Sequence, residues 1–537
     1  MCRMLRCCRY WIRREFLFGL FRVNTTRWYE FFPRLLVCRI YASASLRDPR
    51  GLRTILIETP KITQKSYGNE RRFLCPPPQI TLLGRAWKPT DQDAQQDESA
   101  LSVELQFGAA APHESFTELL PRSHADASEA ETRVAVFKGV YATGDEMAQR
   151  SVNADVRLDA CGKWKMQSGP IRVVSKPTKR VSEAELLYSG SSVALFNRLK
   201  AQKCSTRYLA VSTDGTQLSV SAPHWDAWTL WRLDDPRFDV SRFPRKGDGY
   251  GDSHTTVDEL VWHAPGVHLQ GWTAPQCVLD ARAANAEDAA EAFARDPLRF
   301  GDVVVLRNAV SGLVTRPLVL KSLECLLWVG SGAAGAIMDA RVGECVGQMH
   351  RACFAKYEEE GKLLAVWEDV VGVFDVAVAN AAEAAALSGN GWKHGSGVKR
   401  RRSADGLDGA ADSAIWTIIG VGKTEYTFWM PHQTMQLTPP MALELPIQMP
   451  VITSIDTTLG RVWRIRGRHF FPYLMCFIGV HAASNTVCLC PEVLEVDVGI
   501  LKTNKTDQAE ATMVQSHEPI FLVDAQSGVV FRSGFHC

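Results

Sequence analysis

Short apolar runs separated by turn-rich polar stretches recur along most of the chain. The runs are rich in β-branched and aromatic residues, and the segment RVWRIRG at 461–467 partly alternates apolar and charged positions, as a half-exposed strand does. Further strands are predicted at 52–58, 80–83, 132–140, 171–174 and 415–430. Many short strands at close intervals predict an all-β protein built from sandwiches or barrels.

Two polar segments interrupt this pattern. Residues 89–131 are rich in Asp, Glu, Gln, Ala and Ser, and this composition predicts a disordered insertion. Residues 377–412 pass from an Ala-rich stretch into Gly and Ser. They also carry a basic tetrad that is a candidate nuclear-import signal, although such tetrads are common by chance. The tetrad consists of Lys399, Arg400, Arg401 and Arg402.

The first 40 residues form a separate basic segment. They hold nine Arg against two Glu, and four of the 15 cysteines. Three interpretations remain open, namely a mitochondrial transit segment, a basic arm and an incorrectly assigned start of translation. Scarce Ser and Thr argue against the first of them.

Composition places the chain among ordinary globular proteins. It has 537 residues, of which 46% are hydrophobic and 22% charged, and this length suggests about three domains. The 15 cysteines are scattered and include no C-x-x-C pair, which favours a reducing compartment over a disulfide framework. No apolar run approaches the ~20 residues of a spanning helix, so a multi-pass membrane protein is excluded.

The formal net charge of +2 hides a strong segregation of charge. Residues 61–88 hold six basic residues against one acid, and residues 161–207 hold ten against two. Residues 89–160 hold 14 acids against five bases. The basic windows suit a polyanion such as nucleic acid, because neutralising phosphates releases counterions. The alternative is a solvated surface stripe.

Motifs for catalysis or metal binding are weak. Residues 330–335 match G-x-G-x-x-G, but a dinucleotide site also needs a βαβ unit, so a flexible turn is the better interpretation. Cys345, His350 and Cys353 are three candidate zinc ligands, whereas structural sites close with four. P-loop, H-E-x-x-H and G-x-S-x-G motifs are missing. We therefore expect no catalytic residues, no cofactor and no metal.

Three segments resemble the CSL family of transcription factors. They are Gln64–Pro78 (QKSYGNERRFLCPPP), Ile171–Arg180 (IRVVSKPTKR) and Val193–Leu209 (VALFNRLKAQKCSTRYL). Weaker matches follow at 351–355, 415–428 and 451–465. All of them come in the family's order and span about residues 52–535, so chance similarity is excluded.

The resemblance implies three domains. These are a Rel-like immunoglobulin β-sandwich at 45–181, a central β-trefoil at 182–432 and a C-terminal Rel-like immunoglobulin (IPT/TIG) sandwich at 446–537. Residues 1–44 would precede them as a basic segment of doubtful structure. Residues 89–131, 236–300 and 377–412 would be insertions of the length seen in fungal members. Because fungi lack Notch, we carry over no Notch partner.

The resemblance also implies a DNA-binding surface. The loop 64–74 would enter the major groove, where Arg72 would read guanine O6 and N7 through its two-pronged guanidinium. Glu70 would either accept a hydrogen bond from a cytosine amino group or hold Arg71 or Arg72 in its rotamer. The other implied contacts in this loop are Gln64, Lys65, Ser66, Tyr67, Gly68, Asn69, Arg71 and Phe73.

Two further segments are implied to contact DNA. One resembles a phosphate-contacting stretch and comprises Ser175, Lys176, Lys179 and Arg180. The other belongs to the DNA-facing part of the trefoil and comprises Arg198, Lys200, Gln202, Lys203 and Arg207. Within it, Gln202 is a candidate minor-groove reader. Residues 310–350 match the family poorly, so no residue is assigned to a coregulator surface.

The expected function is sequence-specific regulation of RNA polymerase II transcription in the nucleus. The chain should bind a GTGGGAA-like double-stranded DNA site as a monomer, together with protein coregulators of unknown identity. We expect no membrane, no small-molecule substrate and no enzymatic activity. The alternatives are an interaction scaffold that has lost DNA binding, a carbohydrate-binding trefoil and an enzyme built on residues 330–335. Intact Arg72, Lys179, Arg198 and Arg207 argue against the scaffold.

Overall fold

In a computed structural model, the β-structure of the chain divides into two units. The larger unit comprises Arg53–Glu425 with Glu444–Gln448, and the smaller comprises Met1–Leu52, Tyr426–Leu443 and Met449–Cys537. The residues described are 38–46, 51–84, 87, 102–107, 113–115, 117–119, 132–142, 151–159, 163–175, 182–199, 205–212, 217–238, 261–263, 295–308, 310–323, 341–357, 359–367, 370–375, 413–430, 447–458, 461–479, 481–498, 518–527 and 529–536.

The first part of the larger unit is a pair of β-sheets. Its strands are β1 (Leu52–Pro60), β2 (Ile62–Gln64), β3 (Gln79–Leu83), β4 (Ser102–Gln106), β5 (His113–Ser115), β6 (Thr117–Leu119), β7 (Thr132–Val136), β8 (Ser151–Asp159) and β9 (Lys163–Val174). One sheet has the order β1-β3-β7-β6 and the other β2-β9-β8-β4-β5. In β8 and β9 buried and accessible positions largely alternate, so one face of that sheet forms a core. Strand β2 lies parallel to β9, and this pair leads directly into the loop 64–74.

The prediction of disorder across residues 89–131 is wrong for several segments within it. β4, β5 and β6 all fall there, and β4 pairs with β8 in the sheet. Val103, Leu105 and Phe107 alternate along the chain and are almost completely buried. This alternation is a strand signal, but it is only a few residues long, and the surrounding acidic and Ala-rich composition concealed it.

In the second part of the larger unit, the described residues form twelve strands after a 3-10 helix at Glu183–Glu185. They are β10 (Ser191–Leu199), β11 (Ser205–Val211), β12 (Leu218–Ser221), β13 (Trp228–Arg232), β14 (Val261–His263), β15 (Val303–Asn308), β16 (Val314–Thr315), β17 (Leu318–Lys321), β18 (Arg351–Lys356), β19 (Glu359–Trp367), β20 (Val370–Asp375) and β21 (Trp416–Trp429).

Six of these strands close into a ring. β10 pairs with β13, β13 with β15, β15 with β17, β17 with β18 and β18 with β21, and β21 pairs back with β10. The antiparallel pairs β11–β12, β14–β16 and β19–β20 extend from the ring. A six-stranded ring with three such pairs is the arrangement of a β-trefoil. Its apolar core includes Trp228 and Trp416, whose indole N–H groups donate to main-chain carbonyls at 3.2 and 2.8 Å.

An ion-pair cluster joins the two ends of the segment 239–294. Arg232 at the end of β13 donates to Asp234 from Nε at 2.9 Å and from Nη2 at 2.7 Å. Its Nη1 donates at 2.6 Å to Asp296, which lies just after the segment. These hydrogen bonds raise the pKa of Arg232. The cluster therefore holds together the two chain positions that flank residues 239–294.

The remaining strands are β22 (Ile447–Gln448), β23 (Val451–Asp456), β24 (Val462–Arg468), β25 (Leu474–Ile478), β26 (His481–Ala482), β27 (Asn485–Cys490), β28 (Val493–Asp497), β29 (Pro519–Asp524) and β30 (Val530–His536). β22 belongs to the larger unit, where it pairs with β9. In the smaller unit one sheet has the order β23-β24-β28-β27. A second sheet joins β26, β25, β29 and β30, and the end of β21 pairs with β30.

A helix, α1 (residues 38–46), belongs to the smaller unit. Its residues Cys38, Tyr41 and Ala42 are buried in one cluster with Trp429 and Phe477. The sequence analysis predicts no helix here, because most of the stretch falls in the basic segment 1–44. Helix α1 is instead a structural component of the C-terminal unit.

The described residues also bear on cysteine state, metal binding and membrane insertion. Their seven cysteines carry free thiols. Among these residues, no cluster of three or more His, Cys, Asp and Glu side chains could hold a metal ion. Likewise, no helix in the described ranges is long and apolar enough to cross a membrane. Residues 330–335 lie outside the described ranges.

Candidate nucleic-acid interface

The loop 64–74 is tied to the sandwich at both ends. Near its start, the Ser66 N–H donates to the Ala142 carbonyl at 3.0 Å. At its end, the Leu74 N–H donates to the Val140 carbonyl at 2.8 Å. Because both anchors lie in one short segment after β7, the ends of the loop have fixed positions and its middle projects outward.

The tip of the loop is a tight turn. The Glu70 N–H donates to the Tyr67 carbonyl at 3.0 Å, and Gly68 has a φ of 55°. This left-handed conformation favours glycine. A Cβ at Gly68 would meet no atom within 4 Å, so conformation and not crowding selects glycine here. Residues 67–71 are all exposed.

The guanidinium of Arg72 is clamped beside this turn. Its Nε donates to Glu70 Oε1 at 3.0 Å and its Nη2 to Glu70 Oε2 at 2.9 Å. The Arg72 N–H donates to the hydroxyl of Ser66 at 2.9 Å. The hydrogen bonds lower the pKa of Glu70 and raise that of Arg72. Of the roles considered for Glu70, the structure shows the one in which it holds Arg72. Neither bond involves Nη1 of Arg72.

Exposed aromatic rings flank the basic side chains of the loop. Tyr67 is 44% exposed and Phe73 49%. Lys65 Nζ lies 5.1 Å, and Arg72 Cζ 5.7 Å, from the centroid of the Tyr67 ring. Cation–π contacts of this kind limit the motion of long basic side chains. The loop therefore presents cations in defined positions, together with apolar surface.

Tyr141 is part of this surface although the sequence analysis missed it. Its ring lies 5.4 Å from Arg71 Cζ and contacts Phe73 edge-on, with centroids 6.0 Å apart. With residues 65–71 it lines a shallow cleft of about 720 Å3. Tyr141 follows a predicted strand and lies in no basic window, so only its pairing with Phe73 reveals it.

The second predicted segment is described only at its start. Ser175 is exposed, and its carbonyl accepts a hydrogen bond from Gln64 Nε2 at 3.4 Å. The structure thus brings the start of this segment against the start of the loop. The other residues predicted in this segment lie outside the described ranges: Lys176, Lys179 and Arg180.

In the trefoil, Arg198 and Arg207 lie on the paired strands β10 and β11. Arg198 is opposite Thr206, and Arg207 is opposite Asn197. Since successive residues of a strand point to opposite faces, the two arginines lie on opposite faces of the pair. Arg198 is exposed, with its Cζ 5.2 Å from the ring of Phe196. Lys200, Gln202 and Lys203 lie outside the described ranges, as does the tetrad 399–402.

A buried cluster joins the sandwich to this part of the trefoil. Ile62 of β2 packs with Phe196 and Tyr208 of β10 and β11. Cys75, next to the loop, places its Sγ 3.0 Å from the Tyr208 hydroxyl. Burial raises the pKa of Tyr208. The cluster therefore fixes the base of the loop against the strands that carry Arg198 and Arg207.

These groups suit recognition better than catalysis. The loop offers cations, a clamped guanidinium and exposed rings, which bind phosphates, base edges and apolar base surfaces. Comparison with known proteins supports this interpretation. The family model described as "LAG1, DNA binding" matches residues 55–185, a range that contains the whole loop.

Whole-chain similarity extends beyond that domain. A mouse "Recombining binding protein suppressor of hairless-like protein" is 25% identical over 466 residues, covering 82% of this chain and 72% of that protein. A human protein of the same name is 34% identical over 240 residues, which cover 42% of this chain and 45% of that protein. Together with the match to the DNA-binding family model, these similarities support a CSL-family transcription factor.

CSL proteins from fungi match as well. "Transcription factor cbf11" of Schizosaccharomyces pombe is 26% identical over 187 residues, covering 33% of this chain and 28% of that protein. The strands of the structure confirm the predicted all-β fold. The comparisons support the predicted function class, which is sequence-specific DNA binding in the regulation of transcription. The family consists of transcription factors and not of enzymes.

Proposed function

We propose that this CSL protein binds a GTGGGAA-like duplex as a monomer, with the loop 64–74 in the major groove. The observation that carries the proposal is the clamp between Glu70 and Arg72. A guanidinium held in one orientation on an exposed loop suits bidentate recognition of guanine O6 and N7. The clamp engages Nε and Nη2, so Nη1 and the second hydrogen of Nη2 point to the remaining edge of the guanidinium.

Other residues of the loop would add affinity for DNA and fix the position of the loop along the duplex. Lys65 and Arg71 flank the turn and would contact phosphates on either side of the guanine that Arg72 reads. Tyr67 and Phe73 offer exposed ring surface for contact with a thymine methyl group.

The trefoil would add a second set of contacts. Arg198 shares a strand face with Phe196, next to the cluster that fixes the loop. Gln202, which follows β10 in the sequence, would read the minor groove. The segment 175–180 would add phosphate contacts beside Gln64. The steep salt dependence that such contacts produce is a direct consequence of counterion release.

The cellular role follows from this binding mode. The protein would act in the nucleus on RNA polymerase II promoters, with protein coregulators that bind its β-domains. The tetrad 399–402 would direct nuclear import. Replacing all four residues with Ala in a fluorescent fusion of the full chain should move the protein to the cytoplasm. Unchanged nuclear retention would overturn the role given to the tetrad.

The decisive experiment is a gel-shift titration of the full chain on a GTGGGAA duplex and a scrambled duplex at near-physiological salt. We expect at least a tenfold preference for the site, consistent with the specificity of DNA-binding regulators. Arg72→Ala should lose about 1–3 kcal/mol of that preference. Arg71→Ala is the matched control, and it should weaken binding to both duplexes alike. Equal binding of both duplexes by the unmodified protein would refute the proposal.

A further inference from the structure

A second basic cleft lies where the sandwich and the trefoil meet. Its volume is about 730 Å3, and its cations are Lys61, Arg172 and Lys423. Arg172 and Lys423 have side chains that are 40% and 48% exposed. None of these three residues belongs to the surface assigned above to loop 64–74, the segment 175–180 or the strands β10 and β11.

Main-chain hydrogen bonds hold the three cations on adjacent segments. The Lys61 N–H donates to the Gly420 carbonyl at 2.7 Å, and the Arg172 N–H donates to the Lys61 carbonyl at 2.8 Å. Lys423 follows Gly420 on the same strand, β21. The positive groups therefore sit on a rigid backbone, so little backbone ordering is needed for them to bind a ligand.

Two carboxylates accompany these cations and leave the cleft positive. Glu185 Oε1 lies 3.3 Å from Arg172 Nη1, and Glu425 Oε2 lies 3.7 Å from Lys423 Nζ. The pair of Lys423 with Glu425 is solvent-exposed, and such pairs contribute little free energy. Lys423 can accordingly exchange this carboxylate for a ligand anion at small cost.

The rest of the lining suits a phosphate better than a peptide. It is mainly small and polar, with Gly169, Ser191, Ser192 and Gly422. Ile62 and Val421 contribute its branched apolar side chains, and both are buried in the cluster beneath. An acidic peptide would find no exposed apolar pocket for an anchor residue, whereas a phosphodiester needs only cations and small polar groups.

The cleft is connected to the DNA-reading loop by the parallel strands β2 and β9. Lys61 and Arg172 lie where the paired stretch begins, and Gln64 and Ser175 lie where it ends, beside the loop. Lys65 comes four residue steps after Lys61 along extended chain, a distance of about 13 Å. A duplex advances about 3.4 Å per base pair, so the cleft is within about four base pairs of the loop.

We propose that the cleft formed by Lys61, Arg172 and Lys423 binds backbone phosphates of DNA flanking the recognised site. This inference rests on the proposed function and extends its footprint. The cleft would read no bases. It would lengthen the protein's contact with the duplex and steepen the salt dependence of binding.

The test compares salt dependence between two charge-matched variants of the full chain. The cleft variant is Lys61→Gln/Arg172→Gln/Lys423→Gln. The control is Arg157→Gln/Lys163→Gln/Lys165→Gln, which removes three cations at the far end of β8 and β9. Each is titrated on a GTGGGAA duplex with long flanks and on one cut close to the site.

On the long duplex, log K falls with log salt, and this negative slope should become shallower by about 2.7 for the cleft variant. Each lost phosphate contact reduces the steepness by about 0.9. The control should keep the slope of the unmodified protein. On the short duplex the cleft variant and the unmodified protein should converge. The preference for the site over a scrambled duplex should remain unchanged, because the cleft reads no bases.

The outcomes separate this inference from the proposed function. If the unmodified protein binds the GTGGGAA duplex and a scrambled duplex equally, the proposed function itself is refuted. Preserved preference with equal slopes for the two variants would refute the phosphate cleft alone. If a Glu-rich peptide binds the unmodified protein and not the cleft variant, while the slopes stay equal, the cleft is a peptide site. Because Arg172 also contacts Ser182, Lys61→Gln/Lys423→Gln serves as a milder variant with an expected fall of about 1.8.

Discussion

Glu70 and Arg72 are two residues apart and joined by two hydrogen bonds of 3.0 and 2.9 Å, on a loop whose tip is exposed. If the loop binds DNA as proposed, an acid within it would repel phosphates, so its presence needs a compensating effect. The compensation here is orientation, because a two-bond contact between carboxylate and guanidinium restricts both side chains. Much of the rotamer entropy of Arg72 is therefore lost before any ligand binds.

Replacing Glu70 with Gln should separate these two effects. Binding to a scrambled duplex should strengthen, because a negative charge has been removed from the loop. Preference for the GTGGGAA duplex should fall by about 1 kcal/mol, because a neutral amide holds the guanidinium less firmly. Gel-shift titration of both duplexes measures each effect.

A double-mutant cycle with Arg72→Ala provides the control for this prediction. In the Arg72→Ala background, the Glu70 substitution should no longer reduce preference, because no guanidinium remains to be oriented. Additive losses would show that Glu70 acts on DNA independently of Arg72.

Tyr141 should matter through its ring. Tyr141→Ala removes the surface that contacts Arg71 and Phe73, so affinity for both duplexes should fall by about 0.5–1 kcal/mol. Tyr141→Phe keeps the ring and should bind like the unmodified protein. If Tyr141→Phe is as weak as Tyr141→Ala, the hydroxyl and not the ring is the contributing group. Fluorescence anisotropy with labelled duplexes has the precision required.

The contact between Cys75 and Tyr208 should contribute to stability. Tyr208→Phe removes the hydroxyl that lies 3.0 Å from the thiol and should lower the free energy of unfolding by about 0.5–1.5 kcal/mol. Chemical denaturation of the full chain measures the change. Tyr473→Phe, at a site that is 51% exposed, is the control and should leave stability unchanged. An equal change in both variants would mean that the thiol contact is not the cause.

The contribution of Glu58 to the stability of the fold should depend on pH. Burial raises its pKa above the ordinary value of 4.5, although a hydrogen bond from Gln79 at 2.7 Å opposes the shift. The folded state thus holds this proton to higher pH than the unfolded state does, so the residue's contribution to stability decreases as pH rises above 4.5.

Glu58→Gln cannot ionise and should therefore raise the melting temperature at neutral pH. The gain over the unmodified protein should disappear as pH falls below the ordinary pKa. Thermal unfolding across pH 4–8 measures it, with the exposed Glu425→Gln as the control. A gain of the same size at every pH would exclude ionisation of Glu58 as its cause.

The sequence predicted the strands that carry strong patterns and missed those that do not. The run 415–430 appears as β21 and the alternating segment 461–467 as β24, because their apolar periodicity is long enough to detect. Strand β4 and helix α1 were missed, since each is short and lies in a segment of misleading composition.

The sequence predicted the loop of the candidate interface from one motif, whereas other residues were found only from tertiary contacts in the structure. The loop 64–74 could be identified from its sequence, but its local pattern left three partners open for Glu70, namely a cytosine amino group, Arg71 and Arg72. The positions of Tyr141 and Lys423 depend on pairings between residues far apart in the chain. No window of sequence contains both members of such a pair, so only the folded chain could reveal them.

The ion pair between Arg232 and Asp296 has a consequence for how this protein can change over time. It fixes the two points between which residues 239–294 must run. Within that segment β14 pairs with β16, which is not a strand of the six-stranded ring. Closing a loop of twice the length costs only about 0.6 kcal/mol more. Insertions and deletions between these points can therefore accumulate in a lineage while the ring of six strands keeps its register.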